Sequence, residues 1–146
     1  MLTVRLMTAQ DEGYVMPLVE QFYSSAAVDH AVPTEILQQT FRQAVSDHSL
    51  LEGFVLQMDG KNVGYAYITH MYAAEAGPCI MIEELVIESD ARGKGLGHAF
   101  FDWLFAAYPN AARFRLEVTK GNPRARALYE ELGFVQLGYD QMIYGR

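Results

Sequence analysis

Residues 92–98 form a glycine-rich turn, Arg92-Gly93-Lys94-Gly95-Leu96-Gly97-His98, between an apolar run and an amphipathic one. A turn of this kind at the start of a helix leaves backbone N–H groups without intrahelical acceptors. The helix dipole adds about half a positive charge at the same place. Together they make an anion site, and glycine lets a phosphate approach the backbone closely. Arg92 and Lys94 add full charges. A P-loop would need Gly-x-x-x-x-Gly-Lys-Ser/Thr, a spacing that Lys94 does not follow. A dinucleotide fingerprint would need Gly-x-Gly-x-x-Gly, but the glycines stand at 93, 95 and 97, residue 98 is His, and no acidic residue ends a strand about 20 residues on.

Two adjacent carboxylates, Glu83 and Glu84, lie on the run before this turn. Faces alternate along a strand, so only one of the pair points into a given cleft unless a bulge intervenes. Apolarity does not choose between them: Ile80, Ile82 and Val86 share the parity of Glu84, while Met81, Leu85 and Ile87 share that of Glu83. The four histidines show no metal-ligand spacing. The single cysteine, Cys79, makes no disulfide framework and no cysteine-based zinc site, so no metal is expected.

The elements around these residues can be read from periodicity. Residues 3–7 read as a strand, and Thr8-Ala9-Gln10-Asp11 has the form of a capping box opening a helix that either kinks at Pro17 or starts late. A second helix is expected from Pro33 to about His48. Residues 51–58 and 63–72 are β-rich runs around an Asp59-Gly60 hairpin signal, and residues 79–87 make a third. Leu96, Ala99, Phe100, Trp103, Leu104 and Ala107 recur at helical spacing until Pro109. Phe114, Leu116 and Val118 alternate as a strand. Asn122-Pro123 opens another helix, with Asn at the N-cap and Pro at N1, and Gly133-Phe134 closes it. Residues 135–144 read as one or two strands with a turn near Gly138. The order βααβββαβαβ(β) describes one α/β domain over residues 1–146 with a mixed sheet.

Hydrophobic residues make up 51% of the 146, enough for one core without staples. No run is long enough to span a bilayer and the N-terminus is not a signal peptide, so a cytoplasmic location is the default expectation. The net charge of -7 argues against nucleic acid and anionic membranes as partners. Residues 92–126 nevertheless hold seven basic side chains against two acidic ones. That window carries +5 and the rest of the chain -12, a distribution suited to an anionic ligand in one place and a cationic one elsewhere.

Arg92-x-x-Gly95-x-Gly97 matches the pyrophosphate-binding signature of the GNAT superfamily of N-acetyltransferases. Asn122-Pro-Arg-Ala-Arg-Ala-Leu-Tyr129-Glu-Glu-Leu-Gly133-Phe134 resembles a second segment of that family, in the same order and about 30 residues on. Element order matches over residues 3–144. The resemblance implies a GNAT fold: a mixed, mostly antiparallel sheet of six to seven strands, with two central parallel strands splayed apart, and about four flanking helices. It implies acetyl-CoA as acyl donor and a primary amine as acceptor, joined by direct attack in a ternary complex. A small cationic amine suits the acidic balance. Other readings are a protein N-terminus or lysine as acceptor, or a silent acyl-CoA-binding module.

The resemblance also implies roles for residues. Backbone groups of Leu85, Val86 and Ile87 would hold the pantetheine arm. Arg92 and the amides of Gly93, Lys94, Gly95, Leu96, Gly97 and His98 would hold the pyrophosphate, and Asn122 and Arg124 or Arg126 would reach the adenosine end or the arm. Tyr129 is similar to the family's tyrosine that serves the CoA sulfur. The stretch Ile82-Glu83-Glu84-Leu85 resembles a strand of the polyamine-acetylating branch, in which the first acid meets the amine; this favours Glu83 over Glu84 as catalytic base. The acceptor would be bounded by residues before about 35 and by residues 63–75, with Tyr14, Phe22, Tyr23, Tyr65, Tyr67, His70 and Tyr72 as lining candidates and Asp29, Glu35 and Glu75 as cation partners. A homodimer is expected from the family's habit.

Overall fold

The computed structural model describes residues 1–146. Strands β1 (Leu2–Leu6), β2 (Leu51–Met58), β3 (Lys61–Ala73), β4 (Gly77–Ile87) and β5 (Arg113–Leu116) form one sheet in sequential order. The first four pair antiparallel, and β4–β5 is parallel. Helices α1 (Glu12–Tyr23) and α2 (Thr34–Val45) pack on one face, around Val15, Val19, Leu37, Phe41, Val55, Tyr65 and Tyr67. Helices α3 (Leu96–Ala107) and α4 (Pro123–Glu131) cover the other, around Phe54, Ile68, Ile80, Phe100, Phe101 and Leu104.

Local chemistry fixes the helix ends. The backbone N–H of Thr8 donates to the Asp11 carboxylate at 2.8 Å, and Arg5 grips the same carboxylate through two nitrogens, at 2.8 and 2.9 Å. Helix α1 starts at Glu12 and runs through Pro17; it does not start late. Helix α2 stops at Val45 rather than near His48, because Ser46 is extended and His48 takes a left-handed conformation. The amide of Ala125 donates to the Asn122 side chain at 3.2 Å, and Pro123 follows at N1. At the other end of α4, Gly133 is left-handed; its N–H reaches the Glu130 carbonyl and that of Phe134 reaches the Tyr129 carbonyl, which closes the last turn.

Two expectations are corrected. The sheet has five strands, not six or seven, and residues 135–144 form no strand, although the chain bends at 138–139. Strand β5 ends at Leu116, so Val118 lies beyond it. With only four residues in ladder, β5 offers a short template. The tail beside it leaves Val135, Met142, Ile143 and Tyr144 exposed.

Candidate active site

The parallel pairing of β4 with β5 begins at Cys79–Arg113 and stops at Ile82–Leu116. Beyond that point β4 continues to Ile87 with no partner on its β5 side, so the two strands part in the middle of the sheet. Apart from the Ile87 carbonyl, which Arg92 engages, backbone groups of residues 83–87 on that side are left for a ligand to satisfy. Thr119, past the end of β5, donates its hydroxyl to the Ala26 carbonyl at 3.3 Å, tying the segment between α1 and α2 to the β5–α4 loop.

At the far end of β4 the glycine-rich turn is built as the residue types require. Gly93 and Gly95 both adopt φ of 76°, the left-handed region, and Gly95 is the N-cap of α3. The first helical bond runs from the Ala99 amide to the Gly95 carbonyl, and none of the N–H groups from residues 93–98 donates within the protein. A β-carbon on Gly97 would lie 2.9 Å from a methyl of Leu128, so glycine lets α3 and α4 pack closely. Lys94 and Arg124 are exposed and make no ion pair. The Nε of exposed Arg92 donates to the Ile87 carbonyl at 2.9 Å, joining the turn to the end of β4. Arg126 pairs with Glu130 and Gln136, and the His98 ring faces Glu131 across the two helices. The Asn122 oxygen is engaged as the cap of α4.

A cavity of about 660 Å³ lies along β5 and α4, lined in part by Arg115, Leu116, Val118, Tyr129 and Phe134. The Tyr129 ring packs edge-on against Phe101 and Phe134. Its hydroxyl has no protein partner, and burial pushes its pKa up.

The two glutamates resolve through a bulge. Tyr67 of β3 pairs with Glu84, and the next residue, Ile68, pairs with Ile82, so Glu83 is an extra residue in β4. Ile82 therefore joins the α3 face while Val86 joins the α1 face, which parity in the sequence does not allow. Glu84 turns inward and is 7% exposed; Tyr23 donates to one carboxylate oxygen at 2.6 Å and Tyr65 to the other at 2.7 Å. Burial raises its pKa, the two phenols oppose the rise, and the charge of Glu83 adds to it. Glu83 is exposed, with the Thr69 hydroxyl 3.4 Å away. Its pKa is raised, chiefly by the partial screening of its carboxylate from water by neighbouring atoms; the Thr69 hydroxyl opposes the rise and the charge of Glu117 adds to it. Tyr67 is 1% exposed, and its hydroxyl is the one buried side-chain polar atom with no partner. Such an atom costs about 1–3 kcal/mol.

The acceptor-lining candidates divide accordingly. Tyr23, Tyr65 and Tyr67 gather at Glu84. Tyr14 donates to Glu88, just past β4, at 2.7 Å. His70 points to the α3 face, bonded to Glu52 beside Tyr108, away from the glutamates. Tyr72 and Glu35 are exposed, Glu75 is held by Arg113 and Tyr139, and Asp29 pairs with His30. The Thr119–Ala26 link and the Arg92–Ile87 bond had no signal in the sequence, because each joins a side chain to a carbonyl.

Comparison with known proteins agrees with this geometry. Phosphinothricin N-acetyltransferase of Alcaligenes faecalis is 28% identical over 144 residues, covering 93% of this chain and 71% of that protein. A possible acetyltransferase from Clostridium difficile 630 superposes with a TM-score of 0.83 at 18% identity, over 99% of this chain and 97% of that one. An aminoglycoside N-acetyltransferase in complex with CoA superposes with a TM-score of 0.75 at 15% identity, over 100% and 94%. These superpositions establish a shared fold. The family model described as "Acetyltransferase (GNAT) family" matches residues 15–134, the span that holds the parted strands, the glycine turn and the capped α4, and the chain accordingly belongs to the GNAT acetyltransferases.

Proposed function

We propose that the protein transfers an acetyl group from acetyl-CoA to a small cationic primary amine, by direct attack of the amine while both substrates are bound. The observation that carries this reading is the run of bare amides at residues 93–98, a short way past the unpaired side of β4, together with the free hydroxyl of Tyr129 on α4. A diphosphate fits the first, amide groups of an extended arm fit the second, and a sulfur fits the third. In this reading Leu85, Val86 and Ile87 offer backbone bonds to the arm, and Lys94 and Arg124 supply charge to the phosphates. Arg92 acts on the turn through the Ile87 carbonyl.

The two carboxylates divide the work on the acceptor. Exposed Glu83 draws the ammonium group to the cleft. An amine with a pKa of about 10.4 arrives almost wholly protonated at pH 7 and cannot attack until it loses that proton. Glu84 receives it: burial brings this carboxyl closer to neutral pH, where a base is most effective. The amine nitrogen then bonds to the carbonyl carbon as the carbon–sulfur bond breaks. Tyr129 donates a hydrogen bond to the departing sulfur. Its raised pKa suits a donor that stays protonated rather than one that ionises. A cytoplasmic homodimer completes the reading; the bare edge of β5 and the exposed apolar tail favour the dimer.

Calorimetric titration with acetyl-CoA, followed by CoA release over a panel of spermidine, kanamycin, lysine and phosphinothricin, tests the function. Binding and turnover of at least one amine are expected. Binding with no turnover of any of them, but with acetylation of a peptide, would move the acceptor class to proteins. Absence of binding would overturn the reading.

A further inference from the structure

Glu84 is almost out of solvent, and each of its oxygens already accepts one phenol, from Tyr23 of α1 and Tyr65 of β3. Each oxygen keeps a second lone pair, but the carboxylate is buried, so an amine in the cleft is held off by the side chains that cover it. A proton must therefore cross a short gap to arrive. Tyr67 stands directly opposite Glu84 in the β3–β4 register, with its ring edge-on to that of Tyr65 at 5.3 Å between centroids. The charge of Glu84 is felt at its hydroxyl, and that hydroxyl is buried with nothing to bond. A core tyrosine without a partner is unusual, because phenylalanine would fill the same volume at no polar cost. The oxygen is explained if it serves a molecule that comes and goes.

We propose that the Tyr67 hydroxyl positions a water molecule against Glu84 and that the acceptor's proton travels through it. One N–H bond of the ammonium breaks and its proton passes to the water oxygen. The water gives one of its own protons to Glu84, which becomes a neutral carboxylic acid and later releases it to solvent. Tyr67 holds the water and keeps its own proton, so it is a positioning residue. The remaining titratable neighbours are Glu83 on β4, which acts on Glu84 directly, and Glu117 past β5, which acts on Glu83. The inference rests on the assignment of Glu84 as the base.

A crystal structure of the unliganded enzyme decides the first half. An ordered water within hydrogen-bond distance of both the Tyr67 oxygen and the Glu84 carboxylate is expected; a Tyr67 oxygen that meets only protein atoms overturns the proposal. For the second half, Tyr67→Phe and Glu84→Gln are compared with wild type, using whichever panel amine turns over fastest. Tyr67→Phe is expected to lower kcat at least ten-fold, to raise the apparent pKa of the acidic limb and to reduce the solvent deuterium isotope effect, while Tm holds or rises. If Glu84→Gln abolishes the acidic limb but Tyr67→Phe leaves kcat, limb and isotope effect unchanged, the water path through Tyr67 is wrong and the base assignment stands. If Glu84→Gln leaves the limb unchanged, the base assignment fails and the proposal falls with it.

Discussion

Two side chains carry opposite signs in the balance between stability and activity. Tyr129 packs between Phe101 and Phe134 and leaves only its hydroxyl unused. Tyr129→Phe should therefore fold normally and bind acetyl-CoA as before, but lose ten-fold or more in kcat, the effect of about 1.4 kcal/mol of transition-state stabilisation. An unchanged kcat would reduce Tyr129 to a packing residue. Glu84 behaves differently. Its pKa in the folded protein lies above the ordinary value of 4.5, chiefly through burial. The folded state therefore holds the Glu84 proton more tightly than the unfolded chain does. That stabilisation is complete below about pH 4.5 and is lost as pH rises through the folded-state value. At neutral pH the buried charge weakens the fold. Glu84→Gln should accordingly melt higher than wild type at pH 7, with the gap closing towards pH 4. Equal or lower melting at pH 7 would contradict the burial argument. The motifs pointed to Tyr129 and to the Glu83–Glu84 pair, with Glu83 favoured as the base. Their environment was not legible there, because the phenols on Glu84 come from residues 19 and 61 positions away.

Among the elements, the glycine turn and the ends of α4 were the most legible. Gly95 needs φ of 76° and Asn122 needs only its own side chain, so local sequence decides both. A test of the turn follows from its geometry. Gly95→Asp would place a β-carbon in the left-handed region and a negative charge among bare amides, and calorimetry should detect no acetyl-CoA binding. Retained binding would remove the phosphate site from this turn. Strand partnerships were less legible. The length of β5 depends on how far its neighbour follows it, and β4 parts from it after Ile82. The orientation of Glu83 and Glu84 was hidden for a related reason: a bulge is a property of two strands together, and period-two reading of one strand cannot detect it.

Across the whole molecule, the charge split follows the architecture. The basic window of residues 92–126 begins at the glycine turn, includes β5 and ends in α4, while most acidic residues lie elsewhere. The element order of an α/β domain was legible from sequence; the fate of the tail was not, because whether residues 135–144 pair depends on which edge is offered to them. That edge is bare in the single chain, and three consecutive tail residues, Met142, Ile143 and Tyr144, are each at least 88% exposed. An unpaired edge beside exposed apolar side chains favours association with another copy. Size-exclusion chromatography with light scattering should give about twice the chain mass of 16.4 kDa. A mass near 16.4 kDa would rule the dimer out.

The bulge in β4 also has a meaning for chain length. Because Glu83 and Glu84 together stand where the ladder needs one residue, position 83 is surplus to the sheet. A chain lacking Glu83 alone would keep Ile82 on the α3 face and Glu84 among its tyrosines, and would lose only the outer carboxylate. Removal of Leu85 has no such shelter: it would reverse the facing of Val86 and Ile87 and shorten the approach to the glycine turn. The same strand thus contains one position where a deletion changes what the cleft attracts, two residues from one where a deletion dismantles the fold.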